Sequence, residues 1–324
     1  MGGDGWPPTR RVVGVTFLLG VVTLLAVGGI VTVTMDQPQV REYEHAWGNV
    51  TENTTNVETR ATIDNPNPIG VPPLVGVAYD IRLDETRVGE GRTGGIGIPS
   101  GTSNLTVETT LDHAKIVEWW VATDSHGQGS SLTIAPRLEF PGFTQSLPEQ
   151  SRAFRTSLLP GDGLDDDTVR VGDDELRLTH QSVRWGDATD EETVVRFAMS
   201  MAADREIEID HFEFAMRAND VTMGVDRVDG ATATPGSERV VLKPSIDTQT
   251  VDDWWASHVS NDETSTVEFV LVAVVTVDGH QHSIVLDSFS KHLVVETDLL
   301  GPDATAVTSE TLDSETALDA VESA

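Results

Sequence analysis

A chain of 324 residues with 53 acidic against 21 basic side chains, a formal net charge of −32, is not built to hold nucleic acid, whose phosphates call for basic partners. Its length leaves room for two domains plus extensions, and the absence of cysteine excludes disulfides, thiolate nucleophiles and thiolate metal sites. Lysine is scarce (Lys115, Lys243, Lys291). A carboxylate-rich, lysine-poor surface suits a salt-adapted archaeal protein, because carboxylates hold water and cations while multimolar salt screens their repulsion.

Residues 1–11 end in Arg10-Arg11, and residues 12–34 follow without a charge. As a helix this run would be about 35 Å long, enough to cross a bilayer core. Basic residues before it and Asp36, Glu42 and Glu44 after it place the N-terminus inside and the rest of the chain outside. A cleaved signal is the competing reading, but no Ala-x-Ala site follows the run, and Gly14 departs from a twin-arginine pattern. The expectation is a single-pass anchor in the cell membrane.

The first domain is expected over residues 37–162, in short strands rich in Val, Thr and Ile and broken by Gly, Pro and Asn. Asn65-Pro66-Asn67-Pro68 and Pro72-Pro73 are turn chemistry. Val75, Val77, Tyr79, Ile81 and Leu83 then alternate with smaller or polar residues, the period of a strand with one buried face. Asp84-Glu85-Thr86 reads as the hairpin turn and Val88-Gly89-Glu90-Gly91 as the return strand. Asp112 offers an N-cap to one helix, on which apolar Ile116 and Trp119 or Trp120 fall three and four apart.

Asn65-Pro66-Asn67, Tyr79-Asp80-Ile81 and Gly89-Glu90-Gly91 together resemble the late-embryogenesis-abundant group two family, whose module is also called the water-stress-and-hypersensitive-response (WHy) domain. The resemblance implies a small antiparallel β-sandwich of fibronectin type III-like shape with one short helix, no cofactor and no catalysis. Plant harpin-induced and resistance-associated membrane proteins are similar in plan, one membrane helix followed by such a domain.

An Asp- and Gly-rich linker, residues 160–167, leads to a second domain over residues 169–303, and residues 304–324 read as a disordered acidic tail. The halves repeat each other. Trp47-Gly48 answers to Trp185-Gly186. Asp112, Ile116, Trp119 and Trp120 answer to Asp247, Val251, Trp254 and Trp255 at one offset, which Ser131-Leu132 and Thr266-Val267 share. The second copy lacks the Asn-Pro-Asn turn, having Ala203-Asp204-Arg205 there, and its strand slips phase near Asp210-His211, as at a bulge. The fold class expected is therefore all-β, two tandem sandwiches behind one transmembrane helix.

Gly89, Gly91, Gly94, Gly95 and Gly97 open no helix and lack a Walker lysine, so they read as a mobile strand connection rather than a phosphate cradle. His280 and His282 could share a metal, but no third ligand is evident and a solvated hairpin tip explains them. Asp162 with Asp165, Asp166 and Asp167 lacks calcium-loop spacing. One tryptophan of each pair is expected in the core and the other half-exposed. Asn49, Asn53 and Asn104 head N-glycosylation sequons. No hydrolase or metalloprotease motif occurs. The function expected is a non-catalytic protein of desiccation or salt stress with protein or envelope partners; the alternative is an adhesion, structural or solute-binding ectodomain.

Overall fold

Alternation in the sequence becomes extended backbone in the computed structural model, which describes residues 39–123, 129–140, 143–146, 149–154, 158–277, 279–300 and 306–311. The expected anchor, residues 12–34, lies outside them. Among the described residues no helix is long and apolar enough to cross a membrane. The chain divides into two units. Unit 1 takes Met1–Lys115, Ser131–Ala153 and Asp298–Asp303; unit 2 takes Ile116–Ser130, Phe154–Thr297 and Ala304–Ala324.

The strands that build unit 1 are β1 (Gln39–Val50), β2 (Thr54–Asn65), β3 (Val71–Leu83), β4 (Thr86–Ile98), β5 (Gly101–Asp112), β6 (Ser130–Phe140), β7 (Phe143–Ser146) and β8 (Gln150–Phe154). They pair in the order β1-β2-β5-β4-β3-β6-β7, with β8 also on β6. Helix α1 (His113–Ala122) follows β5, and the division between the units falls within it, after Lys115. The layers expected of a sandwich are joined here into one curled sheet. The seam is short: β4 meets β5 through Gly89↔Leu111 and Glu90↔Thr110.

The glycine run is not a loop. All five glycines lie within β4, where Val75↔Ile96 is followed by Val77↔Thr93, so two residues of β4 face one of β3. Gly94 and Gly95 form that bulge, and the φ of +69° at Gly95 is one that a side chain would resist.

Unit 2 holds β9 (Asp162–Leu164), β10 (Asp167–Val171), β11 (Asp174–Ala188), β12 (Glu192–Ala203), β13 (Ile207–Ala218), β14 (Val221–Asp229), β15 (Thr232–Ala233), β16 (Glu238–Leu242), β17 (Ser245–Asp247), α2 (Thr250–Ser260), β18 (Thr264–Val277), β19 (His280–Val285), β20 (Lys291–Glu296) and β21 (Ala306–Thr311). One sheet runs β10-β11-β12-β16, and β14-β13-β18-β20-β21 forms another. Phe197 of β12 meets Phe214 of β13 at 5.7 Å and Phe269 of β18 at 5.3 Å between ring centroids, so the two sheets share an aromatic core. The phase slip near Asp210 is a bulge, since the β13–β18 register shifts between Ile209 and His211. Residues 306–311, read as disordered tail, instead form β21 on β20, where Val307 and the threonines suit a strand.

The repeat reappears in hydrogen bonds. Ala114 N–H donates to Asp112 Oδ1 at 3.0 Å before α1, and Gln249 N–H to Asp247 Oδ1 at 2.9 Å before α2, the same residue spacing at the same offset. Thr51 N–H bonds Thr54 O and Thr189 N–H bonds Glu192 O, both at 2.8 Å. Asp84 and Asn219, with φ of 51° and 54°, each accept a 2.8 Å bond from Ser131 and Thr266 N–H respectively.

Candidate functional site

The residues that carry the resemblance turn inward. Asn65 is fully buried at the end of β2, and its amide donates to Ile98 O and Pro99 O at 3.2 Å each. Its Oδ1 accepts from Asn67 N–H at 3.2 Å and from the Asn67 side-chain amide at 2.7 Å. Ser100 Oγ closes the loop on Asn67 O at 2.6 Å. Pro66 stays exposed between the two asparagines and fixes the turn. The motif is thus a polar staple tying the β2–β3 turn to the β4–β5 turn. Asn65→Ala would remove the donor to two carbonyls of a part-buried turn and untie it, and should lower unfolding free energy by about 1–2 kcal/mol in a denaturant titration.

Tyr79, Gly91 and Thr109 form a second device. Thr109 Oγ1 donates to the Tyr79 hydroxyl at 2.5 Å, and burial raises the phenol's pKa. A Cβ on Gly91 would lie 2.6 Å from the Tyr79 ring and 2.9 Å from Thr109 Oγ1, so glycine is needed for the ring to lie across the strand. At Gly89 a Cβ would meet Thr110 O at 2.8 Å, which is why the β4–β5 seam crosses there. In unit 2, Gly224 bears the same relation to Ile246 and Ser245, with contacts of 2.7 and 2.9 Å. Sequence reading missed Gly224, although the repeat offset links it to Gly89. Phe214 stands at the Tyr79 position and brings no hydroxyl.

Both members of each tryptophan pair are buried, against the expectation of one half-exposed partner: Trp119, Trp120 and Trp254 are 0% exposed and Trp255 2%. Within unit 2, Trp120 lies edge-on to Trp185 at 5.1 Å and donates from Nε1 to Thr193 Oγ1 at 3.0 Å. Trp47 and Trp185 are half-buried at matching register positions, opposite Val57 and Val195.

A serine–histidine pair does occur, on the inner side of α2. Trp254 Nε1–H donates to Ser265 Oγ at 2.9 Å, and Ser265 lies 2.8 Å from His258 Nδ1. His258 Nε2 lies 2.8 Å from Thr297 Oγ1, which donates to Glu263 Oε2 at 3.0 Å. That direction of donors assigns a neutral imidazole with its proton on Nε2. Ser265 and His258 are both 0% exposed, so the chain of hydroxyls is a sealed structural network rather than a nucleophile open to substrate. Burial pushes the His258 pKa down to about 4. The unfolded chain then takes up this proton first as pH falls. The stability from neutral His258 is complete above about pH 6.5 and lost between there and about pH 4, up to roughly 3 kcal/mol. Denaturant midpoints measured from pH 7 to pH 4.5 should fall, and His258→Gln should flatten that slope.

Of the other candidates, His280 and His282 are exposed on the β18–β19 hairpin, and no group of three or more His, Cys, Asp or Glu residues among those described could hold a metal. Asp162 pairs with Arg184 at 2.5 Å, and that hydrogen bond lowers its carboxyl pKa. Asn49, Asn53 and Asn104 are all exposed, but Thr55, the hydroxyl residue of the second sequon, is fully buried and 2.8 Å from His113 Nε2. Asn104 lines a shallow groove of about 380 Å³ with Glu42, Glu44 and Arg60.

Residues 60–150 match the family model described as late embryogenesis abundant protein. That span includes the asparagine staple, Tyr79, both glycines and α1. An uncharacterized protein of Methanocaldococcus jannaschii is 30% identical over 105 residues, 31% of this chain, and the aligned part spans 59% of that relative's length. Among solved structures, a crystal structure of an Archaeoglobus fulgidus protein aligns at 13% identity over 42% of this chain and 98% of that one, with a TM-score of 0.32. The solution structure of an Arabidopsis thaliana protein aligns at 7% identity over 42% and 92%, with a TM-score of 0.30.

Proposed function

We propose that the chain is a non-catalytic protein of the late-embryogenesis-abundant type, protective under desiccation or salt stress. In this reading residues 12–34 hold it in the cell membrane and two WHy-like modules lie outside. The observation that carries it is the family match over residues 60–150, whose motif residues work as staples and clamps inside the fold. A second copy of the module is supported by the aspartate turns before the two helices and the strand turns, whose hydrogen bonds recur in both units.

The mechanism proposed is physical: stiff β modules covered by hydrated carboxylates keep water and space around neighbouring proteins as solvent is withdrawn. The arginines are largely committed to acids, as in Arg137 to Asp80 at 2.6 Å and Arg205 to Asp174 at 2.7 Å. The surface therefore offers unpaired carboxylates in excess, as the net charge of −32 requires.

The test is to dry and rehydrate a labile enzyme with the full-length protein, against an equal mass of an inert globular protein. Several-fold greater recovery of client activity is expected; recovery no better than the comparator's would sink the protective reading. Topology is read separately, by external protease on intact cells carrying a tag after Ala324. Digestion of the tag is expected, and protection in a membrane-bound protein would move both modules to the cytoplasm.

A further inference from the structure

About one residue in four of this chain is charged, yet residues 65–79, 93–107 and 140–148 carry no charge at all. The β register brings the described residues of these runs, 65–79, 93–107, 140 and 143–146, to one end of the unit 1 sheet. Asn65 pairs with Gly101, Val71 with Ile98 and Gly76 with Glu139, and Phe140 pairs with Phe143 beyond it. The opposite end has Glu52, Asp84, Glu85 and Asp112 at its turns, where Val50 pairs with Thr55, Leu83 with Thr86 and Thr54 with Asp112. The sheet is thus polarised along its strands: at one end the charges are few and paired, Arg41 with Asp64 and Arg92 with Glu139, and the other end is acidic.

The charge-poor end also presents apolar side chains to solvent. Ile69 is 58% exposed, and Pro66, Pro68, Pro73 and Pro99 are exposed around it. The asparagine staple holds these turns in place, so the apolar tip is rigid before it meets anything. The chain enters the fold at this same end, because Gln39, the first residue of β1, pairs with Asp64 beside the staple. Residue 39 is five positions beyond the uncharged segment 12–34, and five residues reach at most about 18 Å.

We propose that this end of unit 1, with Ile69 at its tip, rests on the lipid bilayer and seats the domain on the membrane. The inference rests on the anchor reading above. A carboxylate-rich end would be repelled by anionic headgroups and would lose hydration there, whereas exposed isoleucine and proline favour the interface. The short tether and the polarity of the sheet select the same end.

Because the chain has no cysteine, single labels report without background. Full-length Ile69→Cys and Glu85→Cys variants, each carrying an environment-sensitive dye, are reconstituted in phosphatidylcholine–phosphatidylglycerol vesicles containing headgroup-region spin-labelled lipid. Both positions are exposed, so neither substitution removes core packing. The Ile69 label is expected to shift to the blue and to be quenched at least threefold more than the Glu85 label. Equal quenching at the two positions, in protein that resists alkaline carbonate extraction, overturns the seating and leaves the anchor standing. Extraction by carbonate overturns the anchor and the seating together. A blue shift at Ile69 that grows with protein density and ignores the quencher assigns the tip to a second copy of the chain and also overturns the proposal.

Discussion

Gly230→Ala should cost more than 3 kcal/mol of stability in unit 2, beyond the usual 1–3 for an overpacked site. Strand β13 changes partner here. Its residues Ile207 and Glu208 pair with β15, and from His211 onward it pairs with β14. Gly230 and Ala231 carry the chain across that change, and Ala231 O accepts the Ile209 N–H at 2.9 Å. A Cβ on Gly230 would sit 1.8 Å from Ile209 O and 2.6 Å from Asp210 C. Both are backbone atoms of a bulged central strand, so no rotamer change relieves the overlap. The peptide must move, and it cannot without releasing the β13–β18 register that the bulge sets. Gly236→Ala, where nothing lies within 4 Å, is the matched control and should change stability by less than about 0.5 kcal/mol. Urea midpoints of the two variants decide it; similar midpoints would mean that the strand switch has slack.

That strand switch also shows what a single sequence reveals. The slip near Asp210 was legible, because a face change of one residue in an alternating strand has few explanations. The glycine that makes room for it was not, because close approach between segments belongs to the tertiary fold. The same division runs through the motif. Asn65-Pro66-Asn67 declares a turn by its chemistry, but nothing local says that the Asn65 amide reaches Ile98 and Pro99 across the sheet. The Asp112 cap and the helix after it were readable from adjacent residues. The run from Gly89 to Gly97 misled, since glycine density signals a loop by propensity. Here Gly89 and Gly91 are set by crowding from Leu111 and Tyr79 instead. The tryptophan pairs misled for a related reason. Neighbouring helix positions point about 100° apart, so one indole of each pair should have faced solvent. In the structure both directions from the helix meet protein, as Trp119 on Phe154 and Trp120 on Trp185.

Trp120→Ala is expected to lower the stability of unit 2 by about 3–5 kcal/mol, the range for removing a large buried aromatic. Trp120 is fully buried, and its ring lies 5.1 Å from Trp185 and 6.2 Å from Trp254, the aromatic stack under α2. Its Nε1–H donates to Thr193 Oγ1, which also bonds Thr248 Oγ1 at 2.8 Å where β12 meets the start of α2. Removing the indole therefore opens a cavity beside the Trp185 and Trp254 rings, while Thr193 keeps Thr248 as a partner. Most of the loss is packing, so Trp120→Phe should recover more than half of it although phenylalanine has no N–H. A fragment that starts at Phe154 makes the same point at larger scale. It contains every strand of unit 2 but omits Ile116–Ser130, the segment carrying Trp119 and Trp120. The second sandwich expected over residues 169–303 would be independent of that segment, whereas the packing makes it part of the core. The fragment should melt lower than the same fragment extended back to Asp112, and added denaturant should unfold it without a sharp transition. Equal melting temperatures for the two fragments would show that the indole of Trp120 can be replaced by water or by repacked neighbours at little cost.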